Sequence, residues 1–288
     1  MVVIELSGGL GNQMFQYALY KKFENLGKDV VMETSFFRSG QDLRQLELGI
    51  FPVKYREITD KEAANIRGYG YQDNIIDKIR HKLTPRNYAV YMDKIEIFQP
   101  EIFEMDQVYL SGYWQNENYF KDIKEIISKD FVFSDELYKR NKAFCDKLEN
   151  ENSVSVHIRR GDYLTVENTR IHGNICTETY YVNAMKYIEE RVVNPQFYIF
   201  TDDLDWAKEK YQGTNITIVE GNREDSSYVD MFLMSRCKHN IVANSTFSWW
   251  GAWLNTNADK LVLSPPKWFN NFEKAKVACE NWILIENQ

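Results

Sequence analysis

The sequence predicts an α/β protein built on parallel sheets, and two observations carry that prediction. In the second half, short β-branched apolar runs alternate with segments of helical length. In the first half, a strand-like VVIEL passes through the glycine-rich turn SGGLGN into a helical segment. Open parallel sheets bind ligands beyond the carboxyl ends of their strands, so function is sought where strands end.

The first half reads in order as the strand VVIEL, the helix MFQYALYKKFENLG and the strand KDVVMET. Met14, Tyr17, Ala18 and Leu19 share the buried face of that helix, and Gly27 closes it as a C-cap. LRQLELGIF and KEAANIRGY follow as mixed segments, then the aromatic-rich VYLSGYWQNENYF. The second half predicts strands SVSVHI (153–158), QFYIFT (196–201), ITIVE (216–220), HNIVA (239–243) and KLVLS (260–264). Helices are expected at TETYYVNAMKYIEERV, DLDWAKEKY, SSYVDMFLMSRC and STFSWWGAWLN. A length of 288 residues suits two modest domains, divided here as 1–150 and 151–288.

With 44% hydrophobic and 15% aromatic residues the chain can bury a full core. A net charge of −7 argues against a nucleic-acid partner, though a local arginine cluster can still hold a phosphate. No apolar run is long enough to span a bilayer, and a strand starting at Val2 leaves no room for a secretion signal. Cys145, Cys176, Cys237 and Cys279 form no C-x-x-C pair and read as reduced thiols. A cytoplasmic protein, at most peripheral at the inner face of the membrane, is the expectation.

Three strand ends carry chemistry. The first is VHIRRGDY, where Arg159, Arg160, Gly161 and Asp162 follow the strand that contains His157. Paired guanidiniums match phosphate oxygens in two-toothed geometry, while surface salt bridges are the other reading of an Arg-Arg pair. The second is YIFTDDLDW, where one of Asp202 and Asp203 caps a helix and the other is available to a base or ribose. Asp203 and Asp205 also spell a D-x-D, the triplet of metal-dependent sugar transferases, but first-turn acids are expected for dipole reasons alone. The third is IVANSTFSWWGAWLN, where Ser245, Thr246 and Ser248 crowd a helix start, an anion-binding arrangement. Trp249, Trp250 and Trp253 have helical spacing and are expected to pack.

The glycine turn lacks the Gly-Lys-Ser/Thr of a Walker loop, and Met14 stands where a dinucleotide fingerprint needs its third glycine. Its role is set by what it accompanies. GGLGNQMFQYA, GYWQNENYF (112–120), VHIRRGDY, FYIFTDD, DMFLMSRC and NSTFSWWGAWLN, in this order, resemble the α-1,2-fucosyltransferases of glycosyltransferase family 11. The resemblance runs from Gly8 to about Asn255. It implies a GT-B-like fold, two Rossmann-like domains facing a cleft, with an acceptor-side domain at 1–150 and a GDP-sugar domain at 151–288. It further implies inverting, metal-independent transfer of L-fucose from GDP-β-L-fucose to the 2-hydroxyl of a terminal galactose, on a free or lipid-linked glycan. GDP-fucose is then a substrate and no cofactor is expected. Golgi relatives carry an anchor and stem that are missing here, so the chain resembles a bacterial cytoplasmic form.

On that resemblance Arg159 contacts the β-phosphate; Asp162, the acid of the Arg-Arg-Gly-Asp motif, is the candidate catalytic carboxylate, with a salt bridge to either arginine as its other reading. His157, Arg160, Asp202 and Asp203 serve donor binding, with Ser245, Thr246 and Ser248 completing the phosphate site. Gly9, Gly11 and Asn12 face the nucleotide sugar from the first domain. Tyr113, Trp114 and the segment 64–100 are candidates for the acceptor side. Two other classes stay open: a metal-dependent transferase using Asp203 and Asp205, and a carbohydrate-binding or adhesion protein displaying Arg-Gly-Asp.

Overall fold

The computed structural model describes residues 1–40, 44–68, 75, 76, 79, 83, 88–161, 163, 165–222 and 226–287. Within them the chain forms two compact units, Met1–Val132 and Phe133–Gln288.

In the first unit, β1 (Val2–Glu5) leads into α1 (Leu10–Asn25) and β2 (Val30–Glu33). There follow α2 (Asp60–Arg67), β3 (Ala89–Met92), β4 (Val108–Ser111) and α3 (Lys124–Asp130). The four-stranded sheet has the order β2-β1-β4-β3, and each neighbouring pair is parallel. β1 and β2 are buried along their whole length, which is why both read as unbroken apolar runs rather than alternating ones. Met14, Tyr17, Ala18 and Leu19 are buried as expected, but so is most of the rest of α1, including Gln13 and Gln16. Its end is a full Schellman motif. Gly27, at φ 73°, donates to the Glu24 carbonyl, and the next amide, of Lys28, donates to Phe23. KEAANIRGY resolves into α2, started by a capping box between Thr59 and Glu62 and ended by Gly68 at φ 85°.

The second unit opens with α4 (Asp135–Arg140) and α5 (Lys142–Asn150). It continues through β5 (Ser153–Ile158), α6 (Val166–His172), α7 (Glu178–Glu189), β6 (Gln196–Thr201), α8 (Leu204–Lys210) and β7 (Ile216–Ile218). It closes with α9 (Tyr228–Arg236), β8 (His239–Ile241), α10 (Thr246–Trp253), β9 (Val262–Ser264) and β10 (Ile283–Leu284). The helices of 135–150 fall before residue 150 yet belong here, because α5 packs on β5 and α9. The sheet is six-stranded and parallel, ordered β10-β9-β8-β5-β6-β7. From β5 the chain winds outward through β6 and β7; from β8 it winds the other way through β9 and β10. The order therefore reverses between β5 and β8, which is the switch point where such sheets bind ligands.

Both faces of this sheet are covered. Val154, Val156 and Ile158 pack on Tyr180, Tyr181, Ala184 and Ile188 of α7. The alternate residue Ser155 meets Asn240, whose amide also donates to the Met234 carbonyl of α9. Trp249, Trp250 and Trp253 are buried against one another and Trp282, so the helical tryptophan spacing is packing. Two tyrosines of α7 fix the strand ends. The Tyr180 hydroxyl donates to the Val242 carbonyl at 2.6 Å, and that of Tyr181 to the His157 carbonyl at 3.1 Å.

Candidate active site

In the second unit the three loaded strand ends belong to β5, β6 and β8, which are neighbours in the sheet. Beyond β5, the Arg159 guanidinium pairs with Asp202 Oδ2 at 3.0 Å. Asp202 Oδ1 accepts the amides of Arg160 and Gly161 at 2.9 and 3.2 Å. One carboxylate from β6 thus fixes both the backbone and the first cation of the β5 loop. Arg160 is held separately, with Nε donating to Asp203 Oδ2 at 3.0 Å and its guanidinium 4.0 Å above the Trp206 ring. Asp203 Oδ1 meanwhile accepts the Trp206 amide, so Asp203 is the N-cap of α8.

Beyond β8, Ser245 is the N-cap position of α10 and makes no side-chain cap bond. The amides of Thr246, Phe247 and Ser248 form the first turn, where a helix leaves its N–H groups without internal partners. The Ser248 hydroxyl is buried and turned back onto the Ala243 and Ser245 carbonyls, so it braces this turn rather than facing outward. Asn244 is anchored by its amide to the His172 and Trp268 carbonyls. Tyr163, which the sequence does not single out, donates to the Asn244 carbonyl at 2.9 Å and stacks on His172. Arg159 lies 5.9 Å from the Tyr163 ring, so this tyrosine bridges the ends of β5 and β8. Asp162 lies outside the described residues.

His157, the penultimate residue of β5 and on the face opposite Val156 and Ile158, is buried beside Phe247, and its Nδ1 has no hydrogen-bond partner among the described residues. Burial, then the Arg159 charge, hold its pKa below the ordinary histidine value, against a smaller opposing pull from Asp202. The ring is therefore neutral at physiological pH.

In the first unit, the segments leaving β1 and β4 meet, because these strands are neighbours. Gly9 is the N-cap of α1, so Gly11 lies inside the helix's buried first turn and not in an open loop. Gly8 has φ 74°, and a Cβ there would sit 2.7 Å from Asn12 Nδ2 and 3.1 Å from Tyr113 Cε1. A Cβ on Gly9 would sit 2.7 Å from the Arg44 guanidinium, a cation that sequence reading passes over. Gln13 is consumed internally by the Gly8 and Gln45 carbonyls, and Gln16 by Ser7 and the Gly112 carbonyl. Asn12 Oδ1 accepts from Gln115 at 2.9 Å.

Among the described residues no group of three or more His, Cys, Asp or Glu side chains is placed to hold a metal ion. Both oxygens of Asp203 are engaged by α8 and Arg160, and Asp205 is an exposed first-turn residue. Among the described residues, too, no helix is long and apolar enough to cross a membrane.

The model of "Glycosyl transferase family 11" matches residues 70–286. The O-antigen biosynthesis glycosyltransferase WbnK of Escherichia coli is 36% identical, over 97% of this chain and 99% of its own. An alpha-1,2-colitosyltransferase of Escherichia coli is 34% identical over 99% of both. Among solved structures, the fucosyltransferase NodZ from Bradyrhizobium shares the fold, with a TM-score of 0.51 at 14% identity over 87% of this chain and 91% of that one. The protein is thus an α/β glycosyltransferase with a GT-B-like fold. The chain belongs to glycosyl transferase family 11.

Proposed function

We propose that this glycosyltransferase moves L-fucose from GDP-β-L-fucose to the 2-hydroxyl of a terminal β-galactose, with inversion and without a metal. The observation that carries the proposal is Arg159, held by Asp202 at the end of β5, at the switch point of the six-stranded sheet where the neighbouring strand β8 leads into the N-terminus of α10, whose N-cap residue makes no side-chain cap bond. In such a transfer the sugar becomes oxocarbenium-like while the diphosphate gains negative charge. A preorganised cation with converging amides stabilises that developing charge more than the ground state, which lowers the barrier. In this proposal Arg159 meets the β-phosphate, with Thr246 and the α10 amides beside it. Asp162 takes the proton of the acceptor hydroxyl. His157, uncharged, offers its unpartnered Nδ1 to the nucleotide; Arg160, Asp202 and Asp203 fix the loop that presents Arg159. The first unit supplies the acceptor side; at its glycine turn Gly9 and Asn12 are assigned to the nucleotide sugar, while Gly11, buried in the first turn of α1, is not.

A second donor is favoured by one relative, whose name specifies colitose in the same α-1,2 linkage. Colitose is fucose lacking its 3-hydroxyl, so the two donors differ at one position of one ring. The test is release of GDP from GDP-fucose, GDP-colitose and GDP-mannose, with and without galactosides, in the presence of chelator. Galactoside-stimulated release from GDP-fucose alone is expected, lost in Arg159→Ala. Preference for GDP-colitose moves the assignment to the second donor. Failure to release or bind GDP at all overturns the phosphate-clamp reading.

A further inference from the structure

Tyr113 follows β4 at the carboxyl edge of the first unit's sheet and is a large aromatic residue with 40% of its surface exposed. Its neighbours are not free to move. Gly112 has φ 136° and Trp114 φ 56°, so a positive-φ residue stands on each side. For a tryptophan that conformation is an outlier, of the kind that collects at functional sites.

The turn is held from three directions. The Asp93 carboxylate, one residue beyond β3, accepts the Trp114 amide at 2.7 Å and the Ile95 amide at 3.0 Å. Gln16 of α1 donates to the Gly112 carbonyl at 2.9 Å. The Trp114 indole is fully buried against Tyr119. The backbone on both sides of Tyr113 is thus pinned while its ring stays exposed.

Polar groups lie beside the ring. The position a Gly8 Cβ would occupy is 3.1 Å from Tyr113 Cε1 and 2.7 Å from Asn12 Nδ2, so ring edge and amide converge on one spot. Asn12 Oδ1 is taken by Gln115, which orients the amide so that Nδ2 is the end presented. An exposed aromatic on a fixed backbone, with an oriented amide donor next to it, is the make-up of a hexose site. The ring covers the C–H face of the sugar and the amide meets a hydroxyl. Galactose suits it, because its axial 4-hydroxyl leaves the C3, C4 and C5 hydrogens on one apolar face.

We propose that Tyr113 is the platform for the acceptor galactose, with Asn12 as a hydroxyl partner and Asp93 as the positioning residue that fixes the turn. This rests on the galactoside-acceptor reading above and assigns its sugar subsite.

The test compares wild type with Tyr113→Ala, Tyr113→Phe, Asp93→Ala and Asp93→Asn. GDP affinity is measured by calorimetry, acceptor KM and kcat by GDP release, and binding of methyl β-galactoside by saturation-transfer NMR. Tyr113→Ala should raise acceptor KM about tenfold and abolish saturation transfer, with GDP affinity unchanged and Tyr113→Phe close to wild type. Asp93→Ala should raise KM in the same way, with partial rescue in Asp93→Asn. Unchanged KM and saturation transfer in Tyr113→Ala overturn the platform while leaving the transferase reading intact. If wild type proves inactive on galactosides, the galactoside-acceptor reading fails separately, and the platform is decided by saturation transfer in wild type against Tyr113→Ala.

Discussion

Asp202 binds Arg159 side chain to side chain at 3.0 Å and, with its other oxygen, accepts the amides of Arg160 and Gly161. A residue at the end of β6 therefore decides where the cation at the end of β5 points. The pair is partly open to solvent, with side chains 28% and 25% exposed, so it adds little to stability by itself. Its value is preorganisation.

Asp202→Ala is expected to lower GDP affinity about tenfold, the weight of one charge-assisted hydrogen bond, with a smaller loss of folding stability. Asp202→Asn keeps an acceptor oxygen for the amides and should fall between. Gly161→Ala is a third route to the same defect, because its Cβ would lie 2.7 Å from Asp202 Oδ2 and displace the carboxylate. Calorimetric titration with GDP checks all three. Wild-type affinity in Asp202→Ala would mean that the loop is held without it.

The D-x-D triplet gives an opposite expectation. Asp205 occupies the exposed first turn of α8, where a carboxylate interacts with the helix dipole for about 0.3–1 kcal/mol. Asp205→Asn should leave transfer within about twofold of wild type and lower stability by a few tenths of a kcal/mol. Loss of activity in this variant, or on adding chelator, would restore the metal-dependent alternative.

His157 predicts a pH dependence. Its pKa in the folded protein lies below the unfolded value of about 6.5, so between the two the unfolded chain binds more protons. The stability it contributes is complete above about pH 6.5 and is lost as pH falls toward the folded-state pKa. Urea unfolding from pH 7.5 down to about 5 should show wild type losing stability faster than His157→Gln. Parallel curves would show that the imidazole is protonated as easily in the folded state as in the unfolded one.

The strand ends were legible because their signals are local. An apolar run stopping at Arg-Arg, at Thr-Asp-Asp or at Asn-Ser-Thr announces a parallel strand and the polar turn after it. The residues that make those ends rigid were not legible. Tyr163 reaches Asn244, 81 positions away, and Gln16 reaches Gly112, 96 positions away; no neighbouring residue marks either contact. Asp93 looks like any surface aspartate until β3 and β4 pair and bring it under Trp114. β3 itself, the four-residue apolar run AVYM, is an edge strand with mostly exposed side chains, too short to stand out from the mixed segment around it. Gly11 reads in the sequence as part of the glycine turn, because a glycine beside such a turn carries no sign that the helix has already begun.

The first unit holds a buried ionic cluster that the chemistry above does not use. Arg67 Nη1 lies 3.0 Å from Glu33 Oε2, with side chains only 2% and 1% exposed, and 3.1 Å from the Tyr109 hydroxyl. Tyr109 donates to the same Glu33 oxygen at 2.8 Å, and burial with the nearby Glu5 and Glu33 charges raises its pKa, keeping it protonated. Removing one member of such a pair leaves an uncompensated charge in a site water does not reach. Arg67→Met should therefore destabilise the protein by about 3–5 kcal/mol in denaturant unfolding. Replacing both ions by apolar residues, Arg67→Met with Glu33→Met, should recover much of that loss, because the desolvation of both charges disappears with them. A double variant as unstable as the sum of the two single ones would show that the pair does not interact as a unit, and that each ion is held by other partners.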